Sequence, residues 1–412
     1  VEATVMATDA SADAGRRLAS MADGPGSDNP FENLPLFGDL ARALSGQGPL
    51  NWDAARQFAG LAATGGATEV NIDPTIRIKL GELAQIAELH VRDLTGFDGP
   101  SPEVLPITSG AWAQRTLEAY RPLFTELATS LGQPAQTGTD VDLNADPMMA
   151  MMANLSKMMA PSMMGMAVGS MVGRMATQAF GQYDLPIPRQ EASLTVLPGN
   201  IDRFAAEWSI TVDEMRMWVL AQELTGHALF SITSLREDFA SLVRRHVGAF
   251  RADPEAIAEK LSSLETDDGD PMQAMQQVLS DPAVLLGAVQ SPEQRELQPS
   301  LDAAAAAVIG YVDYMVDGVS VRVIGGDALR IAEAVRRRRV DHNSDDVYIE
   351  RLLGLRLTHQ QVQRGKNFVG GVVDRVGEAR LSVLLARPNA LPTPAEIDAP
   401  GLWVARLELA GA

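Results

Sequence analysis

Residues 209–230 constrain the fold of this chain most strongly, because they predict a long amphipathic helix with a charged residue at its centre. Thr211 followed by Glu214 matches the Ser/Thr-x-x-Glu capping box, which predicts that the helix begins at this point. The apolar residues that recur at roughly helical spacing are Met215, Val219, Leu220, Leu224 and Leu229. We therefore expect a central helix with one buried side.

The middle of this helix, residues 222–227, reads Gln-Glu-Leu-Thr-Gly-His. A zinc peptidase carries His-Glu-x-x-His on such a helix, where two imidazoles one turn apart bind the metal and the glutamate is the general base. This chain keeps Glu223 and has Gln222 and Gly226 at the two ligand positions. A neutral carboxamide is a poor zinc ligand and glycine has no side chain, so the pattern indicates a zinc helix without its zinc.

A shifted frame is the alternative for this helix. Glu223 and His227 are also four residues apart, share a face and could hold a metal between them. That face is rotated by about 100° from the face that carries residues 222 and 226. A helix that keeps its packing role, with Glu223 and His227 hydrogen-bonded to neighbours, is the simpler interpretation.

Composition excludes several classes of function. The 412 residues carry 34 basic and 53 acidic side chains, and the net charge of −19 argues against nucleic acids and anionic membranes as partners. The absence of cysteine excludes disulfides, thiolate metal ligands, iron–sulfur clusters and thiol nucleophiles. The sequence shows no P-loop, nucleophile elbow or dinucleotide fingerprint. Without disulfides or an apolar run of signal-peptide length, we expect a cytoplasmic protein.

The remaining pattern predicts a mainly α chain with one or two strands. The predicted helices cover residues 33–48, 52–63, 74–94, 111–131, 234–250, 299–316 and 328–339, with others opening at Asp253, Pro271 and Pro392 and two or three within 345–385. The best strand is 192–197, followed by a helix capped by Asn200. Residues 1–30 read as a disordered tail, and 31–412 as one large domain, or as two lobes, 31–190 and 191–412.

Residues 147–181 contain 11 of the 18 methionines of the chain. Three glycines in this stretch are spaced four residues apart, Gly165, Gly169 and Gly173. This spacing lets two helix backbones approach closely. Lys157, Pro161 and Arg174 interrupt the run before it reaches the length of a membrane span. We expect a buried helical hairpin, with a methionine-lined binding groove as the alternative.

Several sequence blocks follow one another along the chain in a recognisable order. They are Leu-Phe-Gly-Asp at 36–39, Gly-Pro-Leu-Asn-Trp at 48–52, Gly-Gln-Tyr-Asp-Leu-Pro-Ile-Pro at 181–188, Pro-Gly-Asn-Ile at 198–201, Gly-Tyr-Val-Asp at 310–313, Leu-Gly-Leu at 353–355, Arg-Gly-Lys-Asn-Phe at 364–368 and Asn-Ala-Leu-Pro-Thr-Pro at 389–394. With the central helix, these blocks resemble the zincin-like hydrolase family, zinc-dependent metalloprotease-like proteins associated with the biosynthesis of a deazaflavin cofactor. The resemblance covers roughly residues 29–406 and implies a zincin-like fold that is mainly α with minor β.

The resemblance also implies where the family's zinc ligands would lie. Its His-Glu-x-x-His aligns with Gln222, Glu223 and Gly226, and its third ligand, a glutamate, aligns with Ile309. Both helix ligands and the third ligand are then replaced, and Glu223 is left as a vestigial general base. We expect no bound zinc or other cofactor.

Two functions follow from this interpretation, and the sequence leaves open whether the chain is an enzyme. The first is a non-catalytic, pseudo-metallopeptidase protein that binds or scaffolds a peptide or protein partner. The alternative is an active metal-dependent hydrolase or peptidase with a rearranged site that uses Glu223 and His227. Neither function involves nucleic acid or insertion into a membrane.

The other charged candidates favour structural roles. Arg336 to Arg339 form a basic turn that could bind a phosphate or an acidic partner, but a solvated or salt-bridged helix face is the simpler interpretation. His90 lies near the end of a helix, where a contact with the helix dipole explains it. His246 is expected at the surface beside Arg244 and Arg245, and His342 and His359 in solvated polar segments.

Overall fold

The computed structural model describes residues 48–97, 99–132, 147–252, 288–289, 291–340, 353–355 and 358–410. This part of the chain is mainly helical with short strands, which confirms the predicted fold class. The predicted tail, the predicted helix 33–48 and the helices predicted to open at Asp253 and Pro271 lie outside the described residues. Contacts between Cα atoms group residues 46–412 into one unit, and the suggested division into lobes at residue 190 stays a prediction.

The helices and strands follow in this order: α1 (Trp52–Thr64), α2 (Pro74–Thr95), β1 (Glu103–Pro106), α3 (Ser109–Ala119), α4 (Arg121–Leu131), α5 (Pro147–Ala176), β2 (Ser193–Val196), α6 (Pro198–Glu207), α7 (Val212–Ser231), α8 (Thr233–Gly248), β3 (Arg251–Ala252), β4 (Ala288–Val289), α9 (Pro292–Val323), α10 (Ala328–Val340), α11 (His359–Val376), α12 (Glu378–Leu385) and α13 (Pro400–Ala410).

Local capping fixes the bounds of the first two helices. The side chain of Asn51 accepts hydrogen bonds from the backbone N–H groups of Asp53 and Ala54 at the start of α1. Asp73 caps α2 in the same way, and Gly96 ends that helix in the left-handed conformation with φ 68°. Both helices agree with the prediction to within one residue, because caps and glycine stops act over a single turn.

Two predictions about these helices were wrong. The stretch 111–131 is two helices rather than one: α3 ends before Tyr120 and α4 begins after it. Pro122 has no backbone N–H, so it cannot make the hydrogen bond that would continue α3. Asn200 lies inside α6 and does not cap it. Its side-chain amide instead donates to the carbonyl oxygens of Ala176 and Ala179, at 2.9 and 2.7 Å.

Two later helices also differ from their predicted bounds. The core helix α9 begins seven residues before the predicted Pro299, with a capping box between Ser291 and Gln294. Pro299 lies within the helix near its first turns. The last helix opens at Pro400, whereas the sequence placed its start at Pro392.

The methionine-rich stretch forms one continuous helix, α5, so the predicted hairpin was wrong. The close backbone contact predicted from its three glycines is confirmed, but the partner is α1. A Cβ atom added to any of the three would come closer than 3.0 Å to a main-chain carbonyl oxygen. Those oxygens belong to Asn51, Ala55 and Ala59. Because the three glycines of α5 have no side chains, α1 lies directly against the backbone of α5.

A two-stranded parallel sheet lies beside the central helix. β1 pairs with β2 in a register that places Glu103 opposite Ser193 and Pro106 opposite Val196. This confirms the strand predicted at 192–197. On its other edge β2 meets Gly181, which forms an isolated antiparallel bridge with Val196. A second pair, β3 with β4, is antiparallel and two residues long on each side.

The centre of the core is formed by α7 and α9. Helix α9 packs against α2, α7, α8, α10 and α11, and a run of buried alanines, 303–307, lets these helices approach it. Among the described helices, α9 alone is long and apolar enough to cross a membrane, and 72% of its most apolar window is buried inside the protein. Such burial is typical of the core helix of a soluble protein.

Candidate functional site

The central helix runs from Val212 to Ser231 and is buried on nearly every side around its middle. Thr211 is the N-cap residue, but its side chain makes no capping hydrogen bond with the described residues. The capping box predicted from Thr211 and Glu214 is therefore not formed, although the helix starts where it was expected. Burial on all sides rather than one places Gln222 and Glu223 inside the protein.

Glu223 is completely buried, with 0% of its surface exposed. Its Oε2 atom accepts hydrogen bonds from the backbone N–H groups of Gln182, at 2.8 Å, and Tyr183, at 2.9 Å. Within the described part of the chain, its Oε1 atom has no hydrogen-bond partner.

The environment of this carboxyl group favours its neutral form. Burial and the nearby Asp184 carboxylate raise the pKa of Glu223 to about 8, against the pull of the two backbone N–H groups and Arg189. A pKa near neutrality is by itself compatible with a general base, so the access of water to the carboxyl decides whether it can act as one.

The three presumed ligand positions, Gln222, Gly226 and Ile309, line one cavity of about 30 Å³. The other residues of its wall are Tyr183, Asp184, Pro186, Phe230, Val308, Val312 and Asp313. The structure thus brings α7 and α9 together at the positions that sequence comparison singled out. A volume of this size holds roughly one or two water molecules.

The space above Gly226 is filled by an aromatic ring. A Cβ atom added to Gly226 would lie 3.1 Å from Cγ and Cδ2 of Tyr183 and 3.3 Å from its Cβ. These distances are tighter than ordinary carbon contacts, so a side chain at residue 226 requires the Tyr183 ring to shift. The Tyr183 ring thus covers the position presumed to carry the second ligand.

The family model of zincin-like metallopeptidases matches residues 50–404. The chain belongs to this family. Its fold is similar to that of a solved structure from Chloroflexus aurantiacus described as "a putative hydrolase with a novel fold". That similarity has a TM-score of 0.56 at 20% identity, and it covers 87% of this chain and 99% of the other. At this identity the likeness shows the fold alone. No curated protein matches the chain.

At the three positions presumed from the resemblance, the residues of this zincin-like chain do not fit a zinc ion. Gln222 offers a carboxamide, Gly226 has no side chain and Ile309 is apolar, whereas zinc binds imidazole, thiolate and carboxylate groups. Across the described ranges, His, Asp and Glu side chains form no group of three that could hold a metal.

The shifted frame fits no better. Glu223 directs its Oε2 atom to two backbone N–H groups, while Nδ1 of His227 lies 3.4 Å from the hydroxyl of Tyr183. Partial burial lowers the pKa of His227, and Glu88 opposes that shift. Tyr183 thus contacts one residue of the proposed pair through its side chain and the other through its backbone.

Residues 181–184 belong to one of the blocks that carry the resemblance, and the sequence did not predict their contact with the central helix. Gly181 lies against Glu223, and a Cβ atom there would meet Cγ and Oε1 of that residue at 2.7 Å. The indole N–H of Trp112 donates to the Gly181 carbonyl oxygen at 2.8 Å. The glycine was the available signal, because a residue without a side chain often marks a close approach.

The basic turn on α10 is salt-bridged at two of its arginines, which confirms the simpler interpretation for them. Arg336 contacts Asp317 at 2.5 Å and Asp313 at 3.5 Å. Arg338 donates to the carbonyl oxygen of Gln178 at 2.6 Å and lies 3.4 Å from the Asp184 carboxylate. Its guanidinium also covers the Phe180 ring at 3.7 Å. The side chain of Arg339 is not among those that the structure describes.

The prediction that His246 is exposed was wrong. Only 1% of its surface is accessible, and its Nε2 atom lies 3.1 Å from Oε1 of Gln298. Arg244 and Arg245 point to solvent, but the next residue faces α9, one step further round the helix. His90 is half-buried near the end of α2 and His359 is exposed at the start of α11, while His342 lies outside the described residues.

Proposed function

We propose that this chain is a non-catalytic member of the zincin-like family that acts by binding a protein or peptide partner. The proposal rests on what occupies the three presumed ligand positions. Gln222, Gly226 and Ile309 surround a cavity for one or two waters, and the ring of Tyr183 closes the space where a ligand side chain would project. A chain without these ligand side chains, and without space for them, can keep the family's fold while it lacks the family's zinc chemistry.

Glu223 supports the same conclusion. Hydrolysis assisted by this residue requires a water beside an ionised carboxylate. The Oε1 atom of Glu223 is sealed from solvent and Oε2 is occupied by two backbone N–H groups. The carboxyl group therefore serves packing rather than proton transfer.

An exposed apolar face on α2 supports the binding half of the proposal. Ile78, Ile86 and Leu89 are 63%, 48% and 67% exposed. Their positions fall within about 80° of one another around the helix. The opposite side of α2 packs against α7 and α9, so the exposed face is not required for the core. Large apolar side chains grouped on a surface are typical of interaction sites.

The charge and composition narrow the kind of partner. The net charge of −19 disfavours polyanions and favours a neutral or basic protein surface. A cytoplasmic location is part of the proposal and is supported by the absence of cysteine.

The test of the catalytic half is elemental analysis of purified protein together with a hydrolase substrate panel. We expect no stoichiometric zinc, and any residual hydrolysis should be unchanged in Glu223→Gln. Stoichiometric zinc that is lost in His227→Ala but retained in Gln222→Ala would instead establish the shifted site.

The test of the binding half is affinity purification from native cell extract with quantitative comparison of variants. The double variant Ile78→Asp/Leu89→Asp should lose the specific partner, because charges replace two of the three residues of the apolar face. Val70→Asp is the matched control, since Val70 is 85% exposed but precedes α2. Equal recovery of the partner with all three proteins would contradict a role for this face.

A further inference from the structure

Two of the described arginines are buried, and only one of them has an acidic partner. Arg216 is 8% exposed and donates to the Asp202 carboxylate through two hydrogen bonds, at 2.6 and 2.9 Å. Arg189 is 6% exposed and forms no ion pair with any residue that the structure describes. Its Nη2 atom donates to the hydroxyl of Thr116 at 3.0 Å, while Nε and Nη1 have no hydrogen-bond partner among the same residues. A buried charge without a partner is strongly unfavourable, so this guanidinium requires a counter-ion.

The surroundings of Arg189 attract a cation but do not neutralise it. The guanidinium carbon lies 5.5 Å from the centre of the Trp112 ring and 4.9 Å from that of Tyr120. Ring faces attract a cation, yet they carry no net charge. The hydroxyl of Tyr120 is buried and, within the described ranges, has no hydrogen-bond partner. Burial raises the pKa of Tyr120, so its O–H remains a donor beside the arginine at neutral pH.

The carboxyl groups close to Arg189 have other contacts. The carboxylate of Glu191, two residues further along the chain, lies 3.4 Å from Arg115. Oε2 of Glu223 receives two backbone N–H groups and Oε1 has no hydrogen-bond partner among the described residues, so neither oxygen binds Arg189. In the part of the chain that the structure describes, no carboxylate neutralises this arginine.

We propose that Arg189 binds a compact monovalent anion of halide size, which stays enclosed in the folded protein. The Arg189 site consists of the Nε and Nη1 groups of that residue, with the Tyr120 hydroxyl as a further donor. One negative charge balances the single charge of the guanidinium. Both nitrogens can only donate hydrogen bonds, so their ligand is an acceptor. Water is the competing occupant, and it would leave the buried charge without a counter-ion.

Bromide locates the anion in a crystal, because bromine scatters anomalously at its absorption edge. The full-length wild-type protein is purified and crystallised with sodium bromide in place of chloride. We expect an anomalous peak in contact with Nε or Nη1 of Arg189. Water density alone at these nitrogens, without an anomalous peak, would overturn the proposal.

Thermal melting tests the same site in solution. The ionic strength is held constant with sodium gluconate, which is replaced stepwise by sodium bromide. The melting temperature of the wild type should rise and then level off, because the anion binds the native state. Arg189→Met removes the charge and should abolish the rise. Arg115→Met is the matched control, since the Arg115 side chain is 41% exposed and pairs with Glu191, and it should keep the rise.

An equal response to bromide in Arg189→Met and the wild type would also overturn the proposal. The crystal needs only the wild type, so it decides the question even if Arg189→Met does not fold. Neither measurement involves a partner or zinc. The Arg189 site therefore stands or falls independently of the function proposed above.

Discussion

Two helix contacts in this protein are both built on glycine, and they differ in what the glycine faces. On α5, Gly165, Gly169 and Gly173 face carbonyl oxygens of the main chain near and within α1. On α7, Gly226 faces the ring of Tyr183, which belongs to a side chain. A main-chain oxygen moves only with its helix, whereas a ring can rotate about its own bonds. The first contact is therefore rigid and the second can adapt.

The largest expected effect is that of Gly169→Leu. Its first side-chain carbon would already overlap the backbone of Ala55, so the two helices must separate. We expect a loss of about 3 kcal/mol or more in the free energy of unfolding, measured by urea denaturation. Gly81→Ala is the control, because among the described residues no atom beyond the helix's own backbone lies within 4 Å of a Cβ at that position, and it should stabilise the protein slightly. An unchanged urea midpoint for Gly169→Leu would disprove the tight contact.

Glu223→Gln should change how stability depends on pH. The pKa of Glu223 is about 8 in the folded protein against 4.5 for an ordinary glutamate, so folding favours the protonated form. The associated stability is fully present below pH 4.5 and is lost as the pH rises through 8. We expect the variant to exceed the wild type by at least about 2 kcal/mol at pH 9 and to match it near pH 4. Parallel pH profiles from thermal melts would contradict this result.

A rebuilt zinc site tests how firmly the ring blocks the second contact. In the triple variant Gln222→His/Gly226→His/Ile309→Glu, the new imidazole at residue 226 must displace Tyr183. We expect substoichiometric zinc until Tyr183→Ala is added, after which zinc at about 100 times its Kd should stabilise the protein by about 2.7 kcal/mol. Elemental analysis and melting with and without zinc give the answer. Equal zinc binding by the triple and quadruple variants would show that the ring is no obstacle.

The smallest expected effect is that of Gly226→Ala. Alanine gains about 1 kcal/mol of helix propensity over glycine, while the Tyr183 ring must shift by a few tenths of an ångström. We expect the two terms to leave the unfolding free energy within about 1 kcal/mol of the wild type. Gly169→Ala, measured beside it, should lose clearly more. Similar losses in the two alanine variants would mean that ring and backbone contacts are equally rigid.

Features that depend on one turn of chain were predictable from sequence. Asn51 and Gly96 set the limits of α1 and α2 through caps that involve neighbouring residues only. The glycine spacing on α5 predicted a close helix contact correctly, but its partner lies about 110 residues earlier in the chain, and spacing carries no information about that distance. The same limit explains His246, whose burial depends on where α9 packs.

The candidate site divides in the same way. Gln222, Gly226 and Ile309 came from sequence resemblance, and the structure places them on one cavity. What fills the site could not be predicted, since the contact of Glu223 with the backbone of Gln182 and Tyr183 joins residues some 40 positions apart. A backbone N–H is present at nearly every residue, so no sequence pattern marks the two that reach Glu223.

The position of α9 in the chain has a consequence for biosynthesis. By length and composition its apolar window could cross a membrane, but 72% of that window is buried inside the folded protein. Synthesis runs from the amino terminus, and α2, α7 and α8 all precede α9. Three of its packing partners therefore already exist when it leaves the ribosome, and α10 and α11 complete its cover afterwards. The order of helices along the chain thus supplies part of the cover of this apolar segment before the segment itself is made.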